Sequence, residues 1–112
     1  MRLGDLMIGD WIYYIDDNGN RIPVQVKENH CDEVLLSNGE TVCDEYVAPI
    51  AITLELLELN NVPYEFYDCY HFDFHNKPEG RACSVSGIWH VHELQQAMRS
   101  VGFRTWANEF KI

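Results

Sequence analysis

The sequence predicts an α+β fold: a small SH3-like antiparallel β-barrel or rolled sheet, a short helix, then a β-hairpin and a C-terminal amphipathic helix. Three observations predict it. Apolar and polar residues alternate with period two around two Asn-Gly pairs in residues 1–50. The period changes at "APIAITLELLELNNV". Finally, Val91, Leu94, Met98 and Val101 recur at i, i+3, i+7 and i+10, a continuous apolar stripe on one helix face.

The first strand is "GDWIYYI", residues 9–15, rich in the aromatic and β-branched types that strands favour. Asn18-Gly19 follows, a pair that tolerates the positive φ angles of a two-residue hairpin turn. In "RIPVQVKE", Ile22, Val24 and Val26 occupy one face and Arg21, Gln25 and Lys27 the other, so one face is buried and one wet. Pro23 lacks an N–H and predicts an edge strand or a bulge. A second hairpin reads "EVLLS", Asn38-Gly39, "ETVCDEYV". Four or five short strands within about 45 residues fit a small barrel or rolled sheet. Pro49 closes this region, and Thr53 caps a short helix with Glu55 near its positive end. Leu54 and Leu57, with Leu56 beside them, would face the core, and Asn60 and Asn61 suit the exit because asparagine tolerates left-handed backbone. Residues 64–74, "YEFYDCYHFDF", read as one strand, "NKPEG" as a turn and "RACSVSGIW" as the partner strand. The last helix starts at Val91; Gly102 sits at its left-handed C-cap, Phe103 packs back on the last turn, and "FRTWANEFKI" ends the chain as a strand or extended tail. Residues 1–50 thus form a barrel-like subdomain, and residues 51–112 a helix, hairpin and helix packed on it as one compact domain.

Charge narrows the function classes. The net charge is −10, and residues 1–58 carry 12 acids against Arg2, Arg21 and Lys27. An acidic surface repels phosphate backbones and anionic lipid heads, so neither nucleic-acid nor membrane binding is expected. It serves solubility, or receives a basic protein partner, including a DNA-binding protein toward which it mimics nucleic acid. Trp11, Tyr13 and Tyr14 are read as core aromatics and not as a base-stacking platform. No apolar run reaches membrane-span length, and "MRLGDLMIGD" lacks the apolar core and cleavage site of a signal peptide, so a cytoplasmic location is expected. Cys31, Cys43, Cys69 and Cys83 show no C-x-x-C spacing and are expected as reduced core thiols.

Chemistry-bearing residues cluster twice. In "CYHFDFH", His71, Asp73 and His75 share one strand face with Cys69, while Tyr70, Phe72 and Phe74 share the other. His90 and His92 flank the start of the last helix, and would join the first group if strand and helix start lie side by side. His71, Asp73, His75, His90 and His92 are therefore the candidate ligands for zinc or another divalent metal. Two features oppose a single cage. Same-face residues at i and i+4 lie about 14 Å apart along a strand. The helical H-E-x-x-H motif is absent, because Gln96 stands where its second histidine belongs. An amphipathic strand and a neutral His90 that accepts an N–H as a local cap explain the same residues. No G-x-S-x-G, P-loop or G-x-G-x-x-G occurs, so no catalytic or cofactor-binding residue is assigned.

Three stretches carry a resemblance: "LMIGDWIYY", "APIAITLELLELNNV" and "WHVHELQQAM". In this order and spacing the chain resembles a group of short uncharacterised proteins of gut bacteria and their prophages or mobile elements. It departs from them at Asn60-Asn61, where similar chains more often carry glycine and an aromatic. The resemblance implies an accessory of a phage or mobile element and supplies no activity, cofactor or site residue. The function expected is a non-enzymatic protein-interaction module with an acidic contact surface; the alternative is a metal-binding protein using the His/Asp cluster, with a small enzyme third.

Overall fold

The computed structural model describes residues 1–74 and 84–112. They fall into two compact units, Met1–Ile50 and Ala51–Ile112. Among the described residues no helix is long and apolar enough to cross a membrane.

The first unit is a five-stranded antiparallel sheet. A 3₁₀ turn at Leu3–Asp5 precedes β1 (Trp11–Ile15), β2 (Arg21–Asn29), β3 (Val34–Leu36), β4 (Thr41–Val42), a second 3₁₀ turn at Asp44–Tyr46 and β5 (Val47–Ala48). The strand order is β4-β3-β2-β1-β5. The strands do not close into a barrel: β4 and β5 remain the two edges. The long β2 serves both neighbours through a register shift between Val26 and Glu28, a bulge that bends the strand. Its first half pairs with β1 and its last residues with β3. Pro23 is therefore tolerated in the sheet's middle strand: it pairs with Tyr13 on one side, and the β3 ladder starts only at Val26.

Both Asn-Gly hairpins depart from the two-residue form. Gly19 (φ 80°) and Gly39 (φ 90°) are left-handed while Asn18 and Asn38 are not, and a type I′ turn needs positive φ at both central residues. In each, the glycine N–H bonds three residues back, to Asp16 O or Leu36 O, and that residue's own N–H bonds to Asn20 O or Glu40 O. This is a three-residue loop with a left-handed glycine, the next commonest hairpin closure.

Ile12, Val24, Val26, Val34 and Leu36 form the centre of this unit's core, each no more than 3% exposed. Ile22, expected on the same face, is exposed because the strand end runs past the core toward the turn. Trp11, Tyr13 and Tyr14 are half-buried, not core residues, with Tyr14 packed against the core's margin. Cys31 and Cys43 are exposed, which corrects the expectation of core thiols: both lie in connections between strands, and Cys31 is left-handed at φ 73°. Asn29 replaces a backbone partner for the N-terminal turn, donating Nδ2 to Leu3 O (2.7 Å) and Leu6 O (2.9 Å).

The second unit comprises α1 (Leu54–Leu59), β6 (Tyr64–Phe66), β7 (Tyr70–Asp73), β8 (Ser84–Ser86), α2 (Val91–Ser100) and α3 (Arg104–Asn108). Thr53 Oγ1 accepts the Leu56 N–H at 3.2 Å, the expected cap. Leu57 is buried but Leu54 is exposed, so the apolar face of this two-turn helix is narrower than the leucines imply. Val62 N–H bonds to Leu57 O and Asn61 N–H to Glu58 O around a left-handed Asn61 (φ 55°), a Schellman motif with asparagine in the usual glycine place. Helix α2 ends the same way, with Phe103 N–H on Met98 O and Gly102 N–H (φ 101°) on Arg99 O. Phe103 is buried, as the sequence predicts.

Two expectations fail here. Residues 64–74 are not one strand but a hairpin, β6 and β7 joined by Tyr67–Asp68–Cys69. The C-terminal segment is helical over Arg104–Asn108 instead of extended. Its distant contacts account for this: Gln95 Nε2 donates to Ala107 O (2.9 Å) and Trp106 Nε1 to Asn60 O (2.8 Å). Strand β8 pairs antiparallel with β7, while "NKPEG" and Arg81 to Cys83 lie outside the described residues.

Candidate functional site

The β6-β7-β8 sheet sorts its side chains by alternation. Tyr64, Phe72 and Val85 stand directly opposite one another, as do Glu65, His71 and Ser86 in the next row, and Asp73 faces Ser84. Directly paired residues project to the same side of an antiparallel sheet. One face is thus aromatic, with Phe72 and Phe74 at most 1% exposed; the other is polar. A groove of about 320 Å³ runs along this sheet, lined by Pro63, Glu65, His71, Asp73, Ser84 and Ser86 among others.

The hairpin turn adds a second level of order at His71. The last β6–β7 pair is Phe66 with Tyr70, whose rings meet edge-on at 5.0 Å. Tyr67 N–H bonds across the loop to Cys69 O, and its ring contacts the His71 ring at 5.2 Å. The Tyr67 hydroxyl donates to Glu65 Oε2 at 2.6 Å, and that bond to a carboxylate holds the phenol above its ordinary pKa. His71 Nε2 lies 3.7 Å from Cys69 Sγ and 3.9 Å from Asp68 Oδ1. The ligand atoms of Asp68, Cys69 and His71 all fall within 4.8 Å of one another, the one such group of three among the described residues.

Of the ligands expected from sequence, His71 alone belongs to that group. Asp73 stands two residues further along β7, opposite Ser84. His90 and His92 sit at the start of α2 with their rings stacked at 5.9 Å, and His92 is buried. His90 is the N-cap residue, yet its side chain makes no cap bond; Nδ1 instead meets Glu93 Oε1 at 2.5 Å. The carboxylate at the third helical position offsets the poor placement of a histidine at a helix start. His75 lies outside the described residues. Asp68 is the partner that sequence reasoning misses, because on a continuous strand it would face away from Cys69 and His71.

The first unit presents a different surface. Eight of its acids are exposed: Asp5, Asp17, Glu28, Asp32, Glu33, Glu40, Asp44 and Glu45. Tyr14 feels the charge of some of them. Burial raises its phenol pKa, and the nearby charges of Glu40, Asp17 and Asp16, with Tyr46, raise it further. Tyr46, 41% exposed, ends the second 3₁₀ turn directly before Val47, the residue that pairs with Tyr14. The Asp16 carboxylate itself accepts N–H bonds from Asn20 (2.8 Å) and Asn18 (3.0 Å). Those bonds lower its pKa, Asn20's contribution being the largest. No family model, curated protein or solved structure matches the chain.

Proposed function

We propose that the chain is a non-enzymatic protein-interaction module whose first unit docks a lysine- or arginine-rich protein segment. The observation that carries this reading is the cluster of exposed acids on this unit, with the charges of Glu40, Asp17 and Asp16 close enough to Tyr14 to raise its phenol pKa beyond the effect of burial, and with Tyr46 exposed. Carboxylates complement a basic side chain, and aromatic faces add cation–π attraction. Arg21 over the Tyr13 ring at 5.9 Å is an intramolecular instance of that pairing on the neighbouring strand position. The residue balance supports the same choice of partner, since residues 1–50 hold ten acids against three bases, and the same charge disfavours nucleic acid and anionic membrane. An SH3-like description of this unit belongs to the proposal: β5 returns to the free edge of β1 after a four-strand meander, the arrangement from which a small barrel rolls up. So does the assignment to the cytoplasm as an accessory of a phage or mobile element. Calorimetric titration with an arginine-rich peptide tests the contact. Binding should weaken steeply as salt shortens the screening length and fall in an Asp17→Asn/Glu40→Gln variant; salt-insensitive binding, or binding unchanged in the variant, overturns it.

A further inference from the structure

We infer that the β6–β7 turn is a binding site for a thiophilic divalent cation of the zinc class, held by Asp68, Cys69 and His71. This site lies in the second unit and does not depend on the docking reading of the first. A tetrahedral zinc ion with Zn–S about 2.3 Å and Zn–N about 2.0–2.1 Å places its sulfur and nitrogen ligands ~3.6 Å apart, and its nitrogen and oxygen ligands ~3.4 Å apart. The separations are 3.7 Å for Cys69 Sγ to His71 Nε2 and 3.9 Å for His71 Nε2 to Asp68 Oδ1. Two of the three ligand separations therefore stand close to those of a coordination tetrahedron, the third lies within 4.8 Å, and rotation of the exposed Asp68 side chain closes the set.

Donor chemistry selects the metal class. A thiolate with an imidazole prefers zinc or cobalt to calcium or magnesium, which require oxygen ligands. The frame is preorganised: the Phe66–Tyr70 ring pair closes the hairpin below the turn, and Tyr67 packs on the His71 ring. The His71 side chain is 42% and the Asp68 side chain 93% exposed, so the ion keeps a fourth position open to water or an external ligand. Binding is balanced by release of the Cys69 thiol proton as the sulfur–metal bond forms.

Cobalt(II) added to the untagged, reduced full chain tests the site. A one-to-one complex with a thiolate-to-cobalt charge-transfer band and the visible absorption of a tetrahedral ion is expected, and zinc should displace it. Cys69→Ser should abolish the charge-transfer band. His71→Ala should weaken binding by at least about tenfold, while Cys31→Ser and Cys43→Ser leave both unchanged. Circular dichroism of each variant separates ligand loss from unfolding. Absence of the band in the parent chain, or its persistence in the folded Cys69→Ser variant, overturns the assignment. Either result leaves binding of basic peptide to the first unit untouched, so the two readings fail separately.

Discussion

Asn60 is the residue whose removal should most damage the second unit. It is 6% exposed and closes three side-chain hydrogen bonds: Nδ2 to Leu56 O at 2.8 Å, Nδ2 to Lys111 O at 2.8 Å, and Oδ1 from Lys111 N–H at 2.6 Å. Its carbonyl also receives the Trp106 indole N–H. A net value of about 1 kcal/mol per bond gives ~3 kcal/mol for Asn60→Ala. Water can recover part of this at the exposed Lys111 backbone, leaving about 2–3 kcal/mol. For a unit of this size each kcal/mol lowers the melting temperature by roughly 4–8 °C, so a fall of ~8–24 °C is expected. Asn60→Asp is the sharper test. It keeps an acceptor for Lys111 N–H but sets a carboxylate oxygen against two carbonyls, so at neutral pH it should cost at least as much as alanine. Its carboxyl pKa is then raised in the folded chain. Stability should therefore be highest below the ordinary carboxyl pKa and be lost as pH rises through the raised value. Thermal melts followed by tryptophan fluorescence, with hydrogen exchange at the Lys111 amide, read both effects. An Asn60→Ala chain that melts with the parent, or an Asn60→Asp chain of parental stability at neutral pH, would show that the Asn60 amide does not hold the C-terminal segment.

Backbone conformation makes opposite predictions for two glycines with equally open surroundings. Gly39 lies at φ +90° and Gly4 does not have positive φ, with no atom near either hypothetical Cβ. Gly39→Ala should destabilise by about 1 kcal/mol, and Gly4→Ala should stabilise by about 0.4–1 kcal/mol, in urea melts; equal effects would contradict the turn assignment. Asp16 predicts an acid response of the first unit. Its folded pKa lies below the ordinary 3.8, so its contribution is complete above that value and is lost as pH falls through the lowered one. Asp16→Asn should flatten that part of the stability–pH curve, and an unchanged curve would remove the turn carboxylate from the account.

Much of the fold is legible where one local signal acts alone. Thr53 before an apolar run, Gly102 after one, and the Val91–Leu94–Met98 stripe each specify a helix end or face without help from distant residues. The failures share a cause. A five-residue helix is not stable by its own propensity, so α3 depends on Gln95 and Trp106 bonds to Ala107 and Asn60, the latter 46 residues away. Nothing in "TWANE" announces those partners. The Tyr67–Asp68–Cys69 turn hides for a different reason: it contains no glycine, proline or asparagine, and its aromatic flanks match strand chemistry on both sides. Reading through it put Asp68 on the wrong face, and so concealed the Asp68–Cys69–His71 group. His90 and His92, whose place beside the strand the sequence left conditional, meet Glu93 and each other, and neither belongs to the group around His71.

Nuclear magnetic resonance mapping of an arginine-rich peptide on the labelled full chain separates a defined docking site from diffuse charge attraction. Docking on the first unit should give saturable shifts concentrated at Tyr14, Asp16, Asp17, Glu40 and Tyr46, reduced by salt and by the Asp17→Asn/Glu40→Gln substitutions. Shifts spread evenly over all the exposed acids, or centred outside this group, would contradict it.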